Sequence, residues 1–385
     1  MNGKVSNLHV AWLLPSVFFY WQPALTALAQ WFSETTVLTT RWYGQMPEHD
    51  SALNVKLVGN VKVLKLGESA TGYGSEFTYV SPKVIIPLLQ LKPHVVFSNS
   101  FGVWTILALL FKPLGNWRVI IAYEGSSPSV DYRNSPLRLW LRRFMVRLAD
   151  AYITNSQAGQ RYLTEVLYAA GERVFVQPYE VPDPNALLGN SGESELDQQP
   201  LKHPVFLFVG HLVSRKGIHL LLQACAILQK QGCENYSLLL VGDGAQRQEL
   251  EAFSQAHGLS DRTHWTGRVE YGNLGTYFRK ADVFILPTLE DTWGVVVQEA
   301  MVLGKPVLCS DRAGAHEMII AGENGYVFDP YQPEELAALM HRFIDDPDLS
   351  RIMSQKTQQT ISANTPEAAA EFMAQVATFA WGDRV

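Results

Sequence analysis

Residues 281–330 read ADVFILPTLEDTWGVVVQEAMVLGKPVLCSDRAGAHEMIIAGENGYVFDP, and the rest of the chain can be interpreted from this stretch. Its apolar runs Val283–Leu286 and Val307–Cys309 are short, and such runs predict strands that are buried on both faces. Between them, Val295–Met301 has the length and composition of a crossover helix. Strand, helix and strand in this order predict an α/β fold with a parallel sheet.

Polar residues follow the first of these strands, where the chain turns into the helix: Glu290, Asp291, Thr292 and Gly294. A helix start beside the carboxyl end of a strand is where α/β proteins bind anions and sugars. Asp291 and Glu299 are eight residues apart and do not share a helical face, so we expect one in the loop and one on the helix. On the residues alone, the acids at the helix start could equally serve only to favour the helix dipole.

Composition limits the classes of protein that this chain can represent. A chain of 385 residues exceeds what one hydrophobic core usually supports, so we expect two domains. With 47% apolar and 18% charged residues, the composition is ordinary for a soluble globular protein. The net charge of −6 argues against general nucleic-acid binding.

Cysteine usage and hydropathy are typical of a cytoplasmic protein. The three cysteines include no CxxC pair and indicate neither a disulfide framework nor a zinc site: Cys225, Cys233 and Cys309. The sequence contains no run of about 18 apolar residues, so it predicts no membrane-spanning helix. The apolar segment Val10–Tyr20 follows Lys4 and imitates a signal peptide, but Pro15 and Trp21 favour a strand and a loop, so we expect no cleavage there.

Strands and helices alternate in both halves of the chain. In the first half we expect strands at Leu8–Leu14, Thr36–Thr40, Val61–Lys65, His94–Phe97, Arg118–Ala122, Ala151–Thr154 and Val174–Gln177. The second half restarts with the strand PVFLFVG and continues with helices and strands at Ile218–Gln229, Ser237–Val241, Arg247–His257 and Asn273–Lys280. This alternation predicts two parallel sheets with ligands at the carboxyl edges of their strands.

Domain boundaries follow from changes in composition. We expect a first domain at residues 1–180 and a second at residues 204–364. Residues 181–203 carry prolines, glycines and acids without periodicity, which is typical of a linker. The segment Gly67–Phe77 contains three glycines and predicts a flexible loop, whereas residues 365–385 begin with TPE and contain an amphipathic helix.

Two features of the first half suggest a ligand site. The turn after the first strand lacks the glycines of a phosphate-binding turn and is aromatic, which suits a sugar-like or apolar ligand: Phe18, Phe19, Tyr20 and Trp21. Glu124 follows another strand on a glycine-containing turn and is a candidate catalytic acid or base. Both features have structural alternatives, since the aromatic residues could be ordinary core and Glu124 could stabilise its turn.

The segment Pro136–Leu148 predicts an amphipathic helix. One arc of this helix carries Leu137, Trp140, Leu141, Phe144 and Leu148, and the other carries Arg138, Arg142, Arg143 and Arg147. Such a helix can lie on an anionic membrane surface. It can equally pack its apolar arc on a core and leave the arginines in water.

The chain resembles a known family in five separated motifs. FVGHLVSRKG, LVGDG, WTGRV, the stretch quoted first and NGYVFDP occur in the order found in the C-terminal half of retaining GT-B glycosyltransferases of glycosyltransferase family four. The resemblance covers Val205–Pro330 and implies two Rossmann-like domains facing each other across a cleft, with the C-terminal helix crossing back to the first domain. The second domain would hold a nucleotide-sugar, usually without a metal, and no separate cofactor is implied.

The resemblance implies roles for residues of the second domain. Asp291 would contact the donor sugar, Glu299 the ribose, and Lys216 the diphosphate. The full set implied to contact the donor is Gly210, His211, Arg215, Lys216, Gly242, Arg268, Val269, Glu290, Thr292, Trp293, Gly294 and Val295. Cations near the leaving diphosphate and carboxylates near an oxocarbenium-like carbon stabilise the transition state more than the ground state.

Three positions depart from the pattern of the family. Asp291 stands where family members usually have Glu, and His211 where they often have Arg, with Arg215 as a second cation beside Lys216. In the first domain, Glu124 occupies the place of the histidine that many members have on the acceptor side. These departures leave the identity of the sugar open.

The sequence therefore predicts a retaining glycosyltransferase that moves a hexose from a nucleotide-sugar, preferably a UDP-sugar, to a lipid, lipid-linked or other glycan acceptor. We expect it in the cytoplasm, peripheral at the membrane face. The alternatives are an enzyme with a small soluble acceptor, an epimerase or phosphorylase of the same fold, and a non-catalytic protein that binds sugar nucleotides.

Overall fold

A computed structural model describes residues 6–44, 46, 53–65, 76–189 and 201–382. The chain divides into two compact units. Within the described residues, the first unit comprises the chain up to Val181 together with the segment from Asn364 onward, and the second comprises Pro182–Ala363. Most of the loop expected at Gly67–Phe77 and residues 190–200 of the expected linker lie outside the described residues.

In chain order the strands are β1 Ser6–Leu13, β2 Ser16–Val17, β3 Phe32–Thr39, β4 Arg41–Trp42, β5 Leu53–Leu57, β6 Val61–Lys65, β7 Glu76–Val80, β8 Val95–Asn99, β9 Arg118–Tyr123, β10 Ala151–Thr154, β11 Val174–Val176, β12 Val205–Val209, β13 Ser237–Val241, β14 Thr263–Gly267, β15 Val283–Leu286, β16 Val307–Ser310 and β17 Gly325–Phe328. Most of the predicted strands are present, but β5 and β7 were not predicted, and the predicted strand Val61–Lys65 pairs antiparallel with β7 and does not join the parallel sheet.

The helices connect these strands. They are α1 Gln22–Leu28, α2 Ile85–Leu91, α3 Val103–Leu110, α4 Lys112–Gly115, α5 Pro128–Asp131, α6 Pro136–Leu148, α7 Gln157–Arg161, α8 Pro184–Leu188, α9 Ile218–Lys230, α10 Arg247–Ala256, α11 Leu274–Lys280, α12 Val295–Val302, α13 Pro333–Asp345, α14 Asp348–Ile361 and α15 Pro366–Gly382. None of the described helices combines the length and the apolar character that a bilayer-spanning helix needs.

The first unit is built on a parallel sheet with the strand order β11-β10-β9-β8-β1-β3-β5. In its inner strand β1, Val10 pairs with Val95 of β8 on one side and with Thr35 of β3 on the other. Inner strands of such a sheet are covered on both faces, which explains the apolar runs at residues 10–13 in β1 and residues 95–97 in β8. The described residues add two small pairs, β2 with β4 and the antiparallel pair of β6 with β7.

The last helix belongs to the first unit. Ala370 and Met373 of α15 are fully buried in the same core as Trp12 of β1 and Leu25 of α1. The small side chains of α15, such as Ala377, allow this close packing against α1. The chain therefore leaves the first unit at Val181 and returns to it at Asn364.

The second unit contains a parallel sheet with the order β14-β13-β12-β15-β16-β17. Its inner strands consist mainly of buried Val, Leu, Ile and Phe side chains, as expected for strands with helices on both faces. Part of the segment expected to be a linker is helical: Leu187 of α8 is fully buried in the core of this unit. The predicted α/β fold with two parallel sheets is confirmed.

Helix α6 does not simply pack its apolar arc on the core and leave its arginines in water. Arg142 is only 8% exposed, while Trp140 and Phe144 lie on the surface. Arg142 can be buried because its guanidinium donates to the Tyr162 hydroxyl and to the Asp131 carbonyl oxygen. The apolar arc of α6 is thus not simply the face that packs on the core.

Candidate functional site

A cavity of about 480 Å³ lies at the carboxyl edge of the second sheet. Its lining comes from the ends of β12 and β13, the turn after β14 and the start of α11: Val209, Gly210, His211, Val241, Gly242, Asp243, Arg268, Val269 and Leu274. Five of the residues expected to contact the donor are among them, namely Gly210, His211, Gly242, Arg268 and Val269. The volume is within the range of small-molecule sites, about 300–1,000 Å³.

Glycine is required where the strand ends approach each other. The Gly210 amide donates to the Val241 carbonyl at 2.9 Å, and the Gly242 amide donates to the Gly267 carbonyl at 2.8 Å. Gly242 has φ +139°, and a Cβ atom there would lie 1.8 Å from the Gly210 carbonyl oxygen. A larger residue at position 242 would therefore force the two strand ends apart and deform the cavity.

A cationic turn lies at the same edge of this unit, between β12 and α9. Lys216 is 9% exposed, and its Nζ lies 2.5 Å from Oδ2 of Asp291. Arg215 Nη1 approaches the same oxygen at 3.8 Å. The structure therefore brings together three residues that the sequence assigned to the diphosphate and the sugar, and it joins Lys216 and Asp291 in a buried ion pair.

The turn and the loop after β15 hold each other in place. The Leu289 amide donates to the Arg215 carbonyl at 2.7 Å, and the Thr288 hydroxyl contacts the same carbonyl at 2.9 Å. Gly217 follows the turn with φ +67°, and a Cβ atom there would lie 2.0 Å from the Pro287 carbonyl oxygen. These backbone contacts fix the positions from which the side chains of residues 215 and 216 extend.

The loop that carries Asp291 and Thr292 is fastened on its other side to residues 312–315. The Asp291 amide donates to the Arg312 carbonyl at 3.1 Å, and the Ala315 amide donates to the Trp293 carbonyl at 2.8 Å. Gly294, with φ +95°, then starts α12 without a side-chain cap. The first amides of α12 thus have no capping side chain, and such amides can bind an anion.

Trp293, just before α12, and Glu299, on this helix, are both buried. Trp293 is 2% exposed, and its indole nitrogen donates to Oε1 of Gln298 at 2.8 Å. Glu299 is 6% exposed, and this burial raises the pKa of its carboxyl group to about 7, against a smaller opposite effect of Tyr271. Burial thus favours the protonated form of this carboxyl group, and a ligand that donates hydrogen bonds to it favours the ionised form.

Tyr271 is a residue of this site that the sequence did not reveal. Its pKa is raised, first by burial and then by the neighbouring Glu299 carboxylate. It lies on the 3-10 turn Tyr271–Asn273, which leads directly to the cavity residue Leu274. The turn therefore connects Glu299 to the cavity. No local pattern signals such a contact, since Tyr271 and Glu299 come from different connections of the sheet.

In the first unit, amides and carboxylates converge at the carboxyl edge of the sheet. Asn99 Nδ2 donates to Oε1 of the half-buried Glu124 at 3.2 Å. Asn155 Nδ2 donates to Oε2 of Glu180 at 2.9 Å, and Asn155 Oδ1 accepts from the Tyr179 amide at 3.0 Å. Of these residues, only Glu124 was identified from the sequence. The polar residues at the carboxyl ends of β8 and β10, Asn99 and Asn155, were the available signal.

Tyr179 links this edge to the aromatic turn. Its side chain is fully buried, and burial together with the charges of Glu180 and Glu124 raises its pKa. Tyr20 also contributes to this shift, so it lies in the same neighbourhood. The first unit therefore places two of the residues proposed from the sequence, Glu124 and Tyr20, at one edge.

The aromatic turn divides into an exposed part and a core part. Phe18 is 39% exposed and stacks on Tyr43, with ring centroids 4.7 Å apart, and on Tyr20, at 5.7 Å. Phe19 is half-buried and also lies beside Tyr43. Trp21 is only 1% exposed and packs on Trp12 and Tyr179, so it is a core residue rather than a surface contact.

A buried carboxylate holds the loop that follows Glu124. Asp131 is 1% exposed and accepts hydrogen bonds from the Tyr123 hydroxyl at 2.6 Å and the Ser126 hydroxyl at 2.7 Å. Arg133 Nε donates to the same carboxylate at 2.9 Å. These contacts fix both ends of the segment Glu124–Asp131. Among the described residues of the chain, no group of three or more His, Cys, Asp or Glu side chains is arranged to hold a metal ion.

Comparison with known proteins finds a family that part of the chain resembles. Residues 193–360 match the family described as glycosyl transferases group 1, and they include the cavity and the cationic turn. Over these residues the chain is similar to this family. It is similar to the alpha-D-kanosaminyltransferase of Streptomyces kanamyceticus, with 26% identity over 57% of this chain and 58% of that protein. It is also similar to the 2-deoxystreptamine glucosyltransferase of the same organism, with 30% identity over 59% of each.

Solved structures show that the chain has the GT-B fold. HepE of Anabaena in complex with UDP superposes with a TM-score of 0.74 at 19% identity, covering 96% of this chain and 99% of that one. WaaG, a glycosyltransferase involved in lipopolysaccharide biosynthesis, gives a TM-score of 0.66 at 17% identity, with 96% and 99% covered. The expected GT-B fold is confirmed. The chain spans 54% to 59% of the length of the first curated relatives that it matches.

Proposed function

We propose that this protein is a retaining glycosyltransferase that transfers a hexose from a nucleotide-sugar, preferably a UDP-sugar, to an acceptor bound by the first unit. One observation supports this most strongly. The cavity, the Lys216 turn and the start of α12 meet at the carboxyl edge of a single sheet. The UDP bound by HepE supports the choice of nucleotide.

The base and ribose of the donor occupy the cavity in this proposal. Val209, Val241 and Leu274 supply apolar walls for a planar base, which Arg268 and Val269 flank. Glu299 accepts hydrogen bonds from the ribose hydroxyl groups. A carboxylate is a stronger hydrogen-bond acceptor than a carboxylic acid, so ribose binding favours the ionised form of this group, against the burial that raises its pKa.

The diphosphate lies against Lys216, Arg215 and the amides at the start of α12. Without a donor, the Lys216 ammonium is neutralised by Asp291. When the diphosphate binds, its negative charge competes for this ammonium and frees the Asp291 carboxylate to contact hydroxyl groups of the sugar. The buried pair thus keeps both charges compensated before the substrate enters.

The same groups stabilise the transition state. As the glycosidic bond breaks, negative charge builds up on the leaving diphosphate, and the attraction of Lys216 and Arg215 for it becomes stronger. Positive charge develops at the anomeric carbon, and the freed Asp291 carboxylate stabilises this charge. Fixed charges of this kind act without reorganisation because backbone contacts hold the turn and the loop in place.

The acceptor binds in the first unit. Glu124 acts as the acid or base for the acceptor hydroxyl group, oriented by Asn99. Phe18, Phe19 and Tyr20 present aromatic faces on which sugar rings can stack. We propose a lipid, lipid-linked or other glycan acceptor and a location peripheral to the cytoplasmic face of the membrane.

A small, amine-bearing acceptor is the second candidate. Glu180 lies at the same edge as Glu124, and a pair of carboxylates suits a cation as well as a hydroxyl group. One relative is named 2-deoxystreptamine glucosyltransferase, and this name points to an amine-bearing acceptor. Acceptor assays that compare amine-bearing with neutral sugars would separate the two candidates.

A donor screen tests the proposed function. We expect UDP-sugars to stabilise the protein against heat and to be hydrolysed slowly in the absence of an acceptor. Glu124→Gln should leave donor affinity unchanged and abolish transfer. The proposal fails if no nucleotide-sugar stabilises the protein, or if Glu299→Ala retains full turnover.

A further inference from the structure

Helix α6 exposes three large apolar side chains on one face. Leu137 is 76% exposed, Trp140 63% and Phe144 42%. Their spacing of three and four residues places them in one row along the helix. The rings of Trp140 and Phe144 stack with centroids 6.1 Å apart, so they form a continuous aromatic surface. Large apolar side chains grouped on one face commonly mark an interaction site.

The opposite face of α6 packs on the first unit and includes a buried cation. Met145 and Val146 lie in the core, and Arg142 is buried beside them. Arg142 Nη1 donates to the Tyr162 hydroxyl at 2.8 Å, and its guanidinium lies 5.0 Å from the centroids of Tyr132 and Phe101. Arg142 therefore serves the core and is not available to a surface ligand.

The remaining arginines surround the exposed apolar row. Arg138 is exposed and lies 4.0 Å above the ring of Tyr132, and Arg147 is exposed at the other end of the helix. Arg143 is half-buried, donates to the Val166 carbonyl at 3.0 Å and lies 4.6 Å above the ring of Tyr168. No acidic residue occurs within Pro136–Leu148, in a chain whose net charge is −6.

We infer that α6 docks the first unit on an anionic lipid bilayer, with Leu137, Trp140 and Phe144 in the interface and Arg138 and Arg147 against lipid phosphates. Tryptophan favours the membrane–water boundary because its ring is apolar and its N–H is polar. Arginine side chains gain from the negative surface potential of anionic lipids. A bilayer provides an apolar layer below a charged one, which matches the arrangement of this face.

The docking helix is joined to the acceptor edge through buried contacts. Arg142 donates to the Asp131 carbonyl at 3.2 Å, and the carboxylate of Asp131 holds the loop that begins at Glu124. Docking through α6 therefore fixes the position of Glu124 relative to the lipid surface. The inference rests on the proposed function only in that a lipid-linked acceptor would be presented at this surface.

Vesicle flotation tests this inference. We expect the full chain to float with vesicles that contain phosphatidylglycerol, less so at high salt, and not with pure phosphatidylcholine vesicles. Each surface cation contributes about a fivefold change in partitioning, so Arg138→Glu with Arg147→Glu should reduce binding at least about 25-fold. Trp140→Ser with Phe144→Ser should abolish binding through loss of the apolar contact.

Matched changes on α14 of the second unit serve as the control. Ile352 is 52% exposed, and the Arg351 side chain is 66% exposed on the same helix. Ile352→Ser with Arg351→Glu should leave flotation unchanged. Circular dichroism and thermal unfolding should show that every variant keeps the wild-type fold, since none of the altered side chains is buried.

Two results would overturn the inference. One is a wild-type chain that ignores anionic vesicles, and the other is binding that survives both α6 variants. If sedimentation instead shows self-association that Trp140→Ser with Phe144→Ser abolishes, the face is a contact between copies of this chain. Hydrolysis of UDP-sugars without lipid, measured in parallel, reports on the proposed function alone, so failure of one leaves the other intact.

Discussion

Replacing Glu299 by glutamine should make the second unit more stable at high pH while weakening donor binding. Burial raises the pKa of this carboxyl group from 4.5 to about 7, so the native state holds its proton more tightly than the unfolded chain. Between these two values the native state binds more protons, and the free energy of unfolding falls as pH rises. Above pH 7 both states are ionised, and the penalty is constant.

The size of the effect follows from the shift. The difference of about 2.5 units, from 4.5 to about 7, corresponds to a penalty of about 3 kcal/mol at pH 8 and about 1 kcal/mol at pH 5. Glutamine has almost the same shape and carries no charge, so Glu299→Gln should remove this penalty. For a unit of this size, 3 kcal/mol corresponds to an increase in Tm of about 6–12 °C.

Calorimetry and denaturant titration at pH 5 and pH 8 measure this difference. The control is Glu323→Gln, which removes the charge of an exposed carboxylate in the same unit. This variant should change the free energy of unfolding only slightly, and by the same amount at both pH values. Equal stability of wild type and Glu299→Gln at pH 8, or a larger gain at pH 5 than at pH 8, would refute the reasoning.

Donor binding should respond in the opposite direction. Hydrogen bonds to a charged group contribute about 1.5–3 kcal/mol, so Glu299→Gln should weaken UDP binding by about 10- to 150-fold. Wild-type affinity should rise between pH 6 and pH 8 as the carboxylate forms, and the variant should lose this dependence. Titration calorimetry with UDP at several pH values provides both measurements.

Three further perturbations test other parts of the structure. Gly242→Ala would place a Cβ atom 1.8 Å from the Gly210 carbonyl oxygen and should destabilise the second unit by about 1–3 kcal/mol and reduce UDP affinity in calorimetry. Gly232→Ala, at a φ of +77° in open space, controls for backbone strain without the collision. Lys216→Met would remove the closer of the two cations beside the buried Asp291, leaving Arg215 at 3.8 Å, and should cost up to about 3–5 kcal/mol in denaturant titration. Lys216→Met with Asp291→Asn should recover most stability but no donor binding. Trp21→Ala should destabilise the first unit by about 3–5 kcal/mol, while Phe18→Ala should hardly change Tm but raise the acceptor KM.

Element positions in the second unit were predicted closely. Val283–Leu286 is a strand over the predicted residues, and the strand predicted at Val307–Cys309 extends by one residue to Ser310. Strands buried on both faces appear in a sequence as short apolar runs between turn residues, so their limits are visible locally. The expected donor residues remain predictions in their roles, although several of them line one cavity.

Helix α6 shows where periodicity stops being informative. Its amphipathic pattern predicted the helix, but both arcs contain side chains able to pack on a core or to meet a surface. The burial of Arg142 depends on Tyr162 and Asp131, which belong to other connections of the unit. A periodic pattern contains no information on such partners.

The sequence by itself determined the class of fold, the order of most strands and helices, and the position of the candidate donor residues at the carboxyl ends of strands. These properties depend on burial and on turn chemistry, which each local segment expresses. Only the tertiary structure decided that Lys216 pairs with Asp291, that Tyr271 lies beside Glu299 and that Trp21 is a core residue. These contacts join residues far apart in the chain, and they exist only once the packing of whole elements has brought them together.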